Sequence, residues 1–266
     1  MILHSHFIIL TTMNSLKKFI PGSWKLFYRK RQRKWDDLIS GNNKRFASEF
    51  CDPAGLLPLI TLEQPIKATA TSAAKIHNLS LAINKLNNII IHPNQVFSFW
   101  QLVGNPSEKN GYQKSRSIIK GEMEAAIGGG LCQLSGLIYF MAINAGLRIT
   151  ERHAHSIDIY KEEERFTALG SDATVAHGYK DLRFLNQYGF PVHISLHLTA
   201  TKLQGILSAA ENITPVKIQF EYRQFDHYTE VDTISELDGV YSVLTKASYK
   251  KLPDNSVTVS IPEQAC

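Results

Sequence analysis

Three glycines and a cysteine one residue beyond them, Gly128-Gly129-Gly130-Leu131-Cys132, open the stretch GGGLCQLS, the part of this sequence best suited to chemistry. Glycines adopt backbone angles closed to other residues and let a ligand approach the main chain closely. Here they deliver Cys132 into the first turn of a helix, where unpaired N–H groups and the positive end of the helix dipole both favour a thiolate. Gln133 adds a side-chain donor beside it, of the kind that stabilises an oxyanion in thiol hydrolases. Twenty-one residues after Cys132, the segment ERHAHS carries His153 and then His155. In an alternating segment both imidazoles leave one face of a strand, while Arg152 and Ala154 take the other. A helix that starts at Cys132 and runs back along that sheet brings the sulfur to an imidazole, as a thiolate–imidazolium pair requires. Asp172 in GSDATV, or Asp158, is then available to orient the ring.

Each of these residues also has a plain structural reading. Cys132 can pack as a small hydrophobe behind a glycine hinge, and the two histidines can be held by backbone or by Glu151. Three possibilities therefore stay open. Cys132 acts as a nucleophile with His153 or His155 as base, or the same pocket binds a peptide or glycan without reaction, or the motif is purely structural. In the first two, Gly128, Gly129, Gly130, Gln133, Ser135 and Arg152 form the substrate-binding surface. Neither a metal nor another cofactor is expected. Cys132, His153, His155 and His177 are acceptable zinc ligands, but no C-x-x-C or H-E-x-x-H spacing accompanies them. GGGLCQLS also lacks the Lys-Ser/Thr of a phosphate loop and the spacing of a dinucleotide fingerprint, which disfavours nucleotide binding.

The elements that must position these residues follow from hydrophobic period. Ile76, Leu79, Ile83 and Leu86 recur at three- and four-residue steps, which predicts an amphipathic helix from near Ala68, ended by Asn87-Asn88. Ile89–Ile91 and Val96–Phe99, either side of His92-Pro93-Asn94-Gln95, read as a hairpin, and Ser117–Ile119 with Met123–Ile127 as another. LCQLSGLIYFMAINAGL is apolar on most faces, which predicts a central helix stopped by Gly146. Downstream the period falls to two in RITERHAHSIDIY, DLRFLN, PVHISLHL and KLQGILSA, so the second half reads as mostly antiparallel sheet. VKIQFEYRQF and SVTVSI add strand candidates, with an unplaced polar segment between them. The expected architecture is α+β: a central apolar helix after a Gly-rich turn, packed on a mostly antiparallel sheet. A basic helical arm (1–60) precedes that domain (61–210) and a β extension (211–266) follows it.

Of 266 residues 44% are hydrophobic and 20% charged, which places the chain with ordinary globular proteins and excludes collagenous and low-complexity classes. Three cysteines cannot form a staple framework and leave one thiol free, as in a reducing compartment. The net charge of +5 is unevenly spread. Residues 1–35 hold eight bases (Lys17, Lys18, Lys25, Arg29, Lys30, Arg31, Arg33, Lys34) and no acid, so the rest carries 21 bases against 24 acids. Charge segregated in this way belongs to an appendage and argues against a nucleic-acid partner. PGSWKLFYRKRQRKW interleaves aromatics with its bases. Residues 17–35 therefore suit either a solvated basic helix or an anionic membrane surface or acidic partner. The opening MILHSHFIILTT lacks a positive n-region and a cleavage site, and no window is long enough to span a bilayer. A cytoplasmic location is expected, with the arm available for peripheral membrane contact; oligomeric state is left open.

NQVFSFWQLVGNP, Gly111-Tyr112, GGGLCQLSGLIYFMAINAGL, ERHAHSIDIY and SDATVAHGYKDLRFLN, in that order over residues 65–205, resemble the VanW family. The resemblance implies a link to the cell envelope and vancomycin-type resistance, and a peptide or cell-wall-derived ligand. Some relatives carry peptidoglycan-binding modules. For the cleft between the glycine turn and the histidine segment, the reading that follows is amidase or transpeptidase chemistry, or accessory binding without reaction. The sequence departs from the family's usual pattern at Ser115-Arg116 and at Ala176-His177-Gly178, both near the supposed pocket.

Overall fold

The computed structural model describes residues 21–119, 122–158 and 167–251. The chain divides into two compact units, residues 1–44 and 45–266. The described residues of the first form a long helix, α1 (Gly22–Ile39). The second begins with β1 (Glu49–Phe50), β2 (Leu57–Pro65), α2 (Ser72–Leu86), β3 (Ile89–Ile91) and β4 (Val96–Ser98). It continues through α3 (Phe99–Val103), β5 (Lys114–Ile119), β6 (Glu122–Ile127), α4 (Leu131–Asn144), β7 (Arg148–Glu151) and β8 (Ile157–Asp158). The remainder is strand: β9 (Arg183–Leu185), β10 (Val192–Leu198), β11 (Lys202–Ala209), β12 (Lys217–Gln224), β13 (Tyr228–Leu237) and β14 (Val240–Lys251). Helices and antiparallel sheets share one core, so the fold is α+β.

A five-stranded antiparallel sheet, ordered β1-β3-β10-β11-β2, carries that core. Alternation along β10 and β11 sends Val192, Ile194 and Leu196, and Leu203 and Leu207, into the interior. Leu79, Ala82, Ile83 and Leu86 of α2, and Leu134, Leu137, Ile138 and Met141 of α4, join them there. α4 is the central helix that its composition predicts: it packs on β2 and β11 and buries residues on nearly every side. Gly205 of β11 permits this close approach, since a Cβ there would stand 2.6 Å from the Met141 sulfur.

Several expectations are corrected. β3 and β4 do not form a hairpin: β3 pairs with β1 and β10, β4 with β9. Both strands are almost wholly buried, and each gains its hydrogen bonds from a separate sheet, with β4 in the sheet β4-β9-β7. Phe99 starts α3 instead of ending a strand, because the Ser98 hydroxyl caps the turn by accepting from the Gln101 N–H. Among the described residues of the alternating run RITERHAHSIDIY, which stop at Asp158, strand is confined to β7 and β8, as the His155 N–H is taken by the Asp172 side chain instead of a neighbouring strand. The hairpin of β5 and β6 forms as the sequence indicates. β1 and the first residues of β2, which fall in the stretch read as the arm (1–60), lie in the second unit, where the two strands edge its main sheet.

Residues left unplaced by sequence build the long hairpin of β13 and β14, turned at Asp238-Gly239, both at positive φ. With β12 they form a sheet that packs against α4 through Phe220 and Phe140. The end of β14 runs parallel to β8, pairing Lys250 with Ile157. SVTVSI and Cys266 lie outside the described residues.

If the bare backbone of Gly205 sets the seating of α4, Gly205→Ala must push Met141 or the helix aside, lowering unfolding free energy by ~1–3 kcal/mol. Leu137→Ala, which opens a cavity in the same layer, is expected to cost ~2–5 kcal/mol. Urea unfolding measures both. An alanine at 205 that leaves the midpoint unmoved would show that the close approach is incidental.

Candidate active site

Four separate pieces of chain meet at the start of α4. The helix is launched by Gly130, its N-cap residue, at φ 100 and ψ −22, a conformation that side chains resist. Cys132 follows in the first turn, partly exposed, with its Sγ 3.7 Å from the Val175 carbonyl oxygen. Beside the helix runs residues 170–175. Ser135 holds this segment by donating to the Ala173 oxygen at 2.6 Å, and Gly136 lets its backbone come near. The third piece is the linker between β7 and β8, tied to the second where Thr174 N–H donates to the His153 oxygen at 2.7 Å. The fourth is the end of β14.

Asp172 is the hub. Its Oδ2 accepts from His155 twice, from the backbone N–H at 2.7 Å and from ring Nδ1 at 2.6 Å. Its Oδ1 accepts from Arg152 at 3.0 Å and from the Tyr249 hydroxyl. Arg152 also donates to the backbone oxygens of Asp172 and Gly170, and its guanidinium lies over the Tyr139 ring. Burial works to raise the Asp172 carboxyl, but hydrogen bonding from His155 and the charge of Arg152 overcome it, holding the group well below the usual carboxylate range. Burial and the adjacent Asp172 charge push the Tyr249 phenol up, so its hydroxyl stays a donor.

His155 joins this hub to the thiol. Burial alone would lower the ring, yet hydrogen bonds to Asp172 and to Cys132 reverse the sign and push it up to about 10. His155, its side chain a fifth exposed, thus stands with Nδ1 on the Asp172 carboxylate at 2.6 Å and its ring within electrostatic reach of the Cys132 sulfur. At the start of α4, the N–H groups of Gly130 and Cys132 have no acceptor among the described residues.

His153 takes a different direction. With the backbone between β7 and β8 leaving strand geometry, the two histidines diverge, and His153 Nε2 meets Glu151 Oε1 at 3.0 Å. Glu151 in turn receives the Asp181 N–H. Buried Asp181 accepts from Ser98 at 2.6 Å and Arg183 at 2.8 Å, while burial raises its carboxyl against those bonds. This second network braces β4, β7 and β9 behind the site, and Trp100 edges onto His177 nearby at 5.3 Å.

The ligand-binding residues inferred from sequence separate in the same way. Gln133 sits a helical step around from Cys132 and gives its amide to the Pro65 oxygen at 3.0 Å, not to the thiol. Ser135 is fully buried in loop bracing, and Arg152, its side chain 4% exposed, is spent on Asp172 and its surroundings. Gly128 and Gly129 give their N–H groups to Gln113 and Ala126, and the buried Asn78 amide clamps the Gly129 oxygen. Asp158 lies in β8 opposite Lys251, leaving Asp172 as the partner of His155. Sequence reading misses Tyr249, which comes from 77 residues beyond Asp172.

The vancomycin B-type resistance protein VanW of Enterococcus faecalis (strain ATCC 700802 / V583) is 31% identical over 131 residues, which is 49% of this chain and 48% of that protein. The uncharacterized protein YoaR of Bacillus subtilis (strain 168) is 36% identical over 125 residues, 47% of this chain and 40% of YoaR. The aligned region thus takes in less than half of either relative. No solved structure matches. A family model described as VanW like protein covers residues 74–207, the stretch holding Cys132, His155 and Asp172, and the chain belongs to the VanW family.

Proposed function

We propose that this protein is a cysteine-dependent acyl-transfer enzyme, an amidase or transpeptidase acting on a peptide-like fragment of the cell wall in glycopeptide resistance. The observation that carries the chemistry is the His155–Asp172 hydrogen bond of 2.6 Å beside the first turn of α4, where Cys132 lies close enough to act on the same ring. The envelope link rests on the relative whose name gives vancomycin resistance. In the reaction the sulfur of Cys132, relieved of its proton by His155, attacks the substrate carbonyl. The carbonyl oxygen gathers negative charge opposite the N–H groups of Gly130 and Cys132. As the C–N bond breaks, the departing amine takes the proton from His155, leaving a thioester on Cys132. Water or a second amine then attacks the thioester, gives its proton to His155, and releases the product. Asp172 fixes the ring tautomer throughout, as the orienting acid of a triad does.

The same two N–H groups also favour a second reading, capture of a peptide carboxylate without reaction. Cys132→Ser separates the two. Loss of a covalent adduct between the protein and cell-wall peptide fragments, with fragment affinity kept, supports the enzyme; absence of any adduct on the unmodified protein supports capture.

Iodoacetamide is expected to label Cys132 faster than Cys51 near neutral pH, read by peptide mass spectrometry. His155→Ala should slow that labelling by about tenfold or more, whereas His153→Ala leaves it within about twofold. Equal sensitivity to both histidines would dissolve the assignment of roles.

Stability supplies an independent check. A ring held at about 10 in the fold and 6.5 when free stabilises the fold fully below 6.5, and that contribution drains away as pH climbs to about 10. The Tm gap between the parent and His155→Gln is therefore widest in mild acid and narrows on the alkaline side. A gap constant across that window would mean the ring is neutral in the fold.

A further inference from the structure

α1 is turned inside out for a helix of a water-soluble protein. Trp24, Phe27, Tyr28, Trp35, Leu38 and Ile39 fall at steps of three, four and seven, which stacks them in one stripe about 120° wide. All six are between 54% and 72% exposed. On the other side of the same helix the residues with less exposure are Leu26, Lys30, Arg33 and Asp37, three of them charged. Exposed Lys25 and Arg29 border the stripe along one edge and Lys34 along the other. Arg31 lies within it, its guanidinium 5.8 Å from the centre of the Phe27 ring. Scattered exposed apolar residues need no explanation, but a continuous aromatic stripe on one helix does.

We infer that α1 is an interfacial helix that seats on anionic lipid headgroups, its aromatic stripe entering the acyl boundary and its flanking bases lying over the phosphates. Charge complementarity selects this occupant. A second copy packed on the stripe would bring Lys25, Arg29, Arg31 and Lys34 against the same four bases, with Asp36, on the Lys25 edge, as the one exposed acid of the helix to offset them. An acidic protein would satisfy the bases, yet it gives no reason for two tryptophans and a tyrosine, side chains with an apolar body and a polar tip suited to headgroup depth. No described helix is long and apolar enough to cross a membrane, and an in-plane helix requires none. The inference stands apart from the chemistry assigned to Cys132.

The full chain is mixed with vesicles of phosphatidylglycerol and phosphatidylcholine, or of phosphatidylcholine alone, and followed by co-sedimentation and tryptophan emission. Binding to the anionic vesicles is expected to be at least about tenfold tighter, with a blue shift, and to weaken as salt rises. Trp24→Ser with Trp35→Ser, and separately Lys25→Glu with Lys34→Glu, should each reduce it by about tenfold or more. These side chains are exposed, so circular dichroism should be unchanged; the salt dependence of the parent protein needs no variant. Equal binding to both vesicles, no binding, or vesicle binding untouched by either double variant would overturn the inference. So would a lipid-free dimer abolished by the tryptophan variant, or capture by poly-glutamate where vesicles fail.

Discussion

One largely enclosed carboxylate holds the functional end of this molecule together. Asp172 has no covalent tie to any regular element, and a charged group in its position is tolerable only while every lone pair is engaged. Arg152, Tyr249 and both donors of His155 meet that requirement from three directions. Satisfying Asp172 therefore fixes the linker between β7 and β8, the loop beside α4 and the last turns of β14 at once. The placement of an imidazole beside the Cys132 sulfur is a by-product of this electrostatic knot, and the knot explains why so irregular a stretch of backbone keeps a defined shape.

α4 provides the rigid counterpart. A helix buried on most sides, seated on β2 and β11 by the missing side chain of Gly205, has little freedom to slide. Its first turn is correspondingly well anchored, entered through the left-handed Gly130. A mobile Asp172 loop facing a fixed thiol would give a poorly defined pair. Here Ser135 joins the two directly, so both halves move as one.

α2, α4 and the main-sheet strands β3, β10 and β11 are legible in the sequence because each presents a clean apolar period to a single core, whereas β1 and β2 are not read as strands and the short α3 is read as the end of one. The thiol, the two candidate rings and the candidate carboxylate are legible too, since few residue types can do that chemistry. What local pattern does not carry is the choice between His153 and His155, which depends on where the chain leaves strand geometry, and that in turn depends on a side chain seventeen residues away. Gln133 misleads for a related reason: adjacency in sequence on a helix is about 100° of separation in space. The hairpin of β13 and β14 is hidden because β14 is widely exposed and β13 buries polar residues such as Asp232 and Thr233, although Asp238-Gly239 is a turn signal that points to it.

β2 and β14 lie on either side of the stretch that defines the family by similarity, yet one edges the main sheet under α4 and the other reaches Asp172. The boundary of likeness and the boundary of the physical object are thus different. A fragment trimmed to the shared region would expose hydrocarbon along one flank of its central helix and strand a carboxylate short of a donor. Relatives that differ outside that region must solve both problems with other segments, so the flanks are where members of this family have room to diverge without losing the common centre.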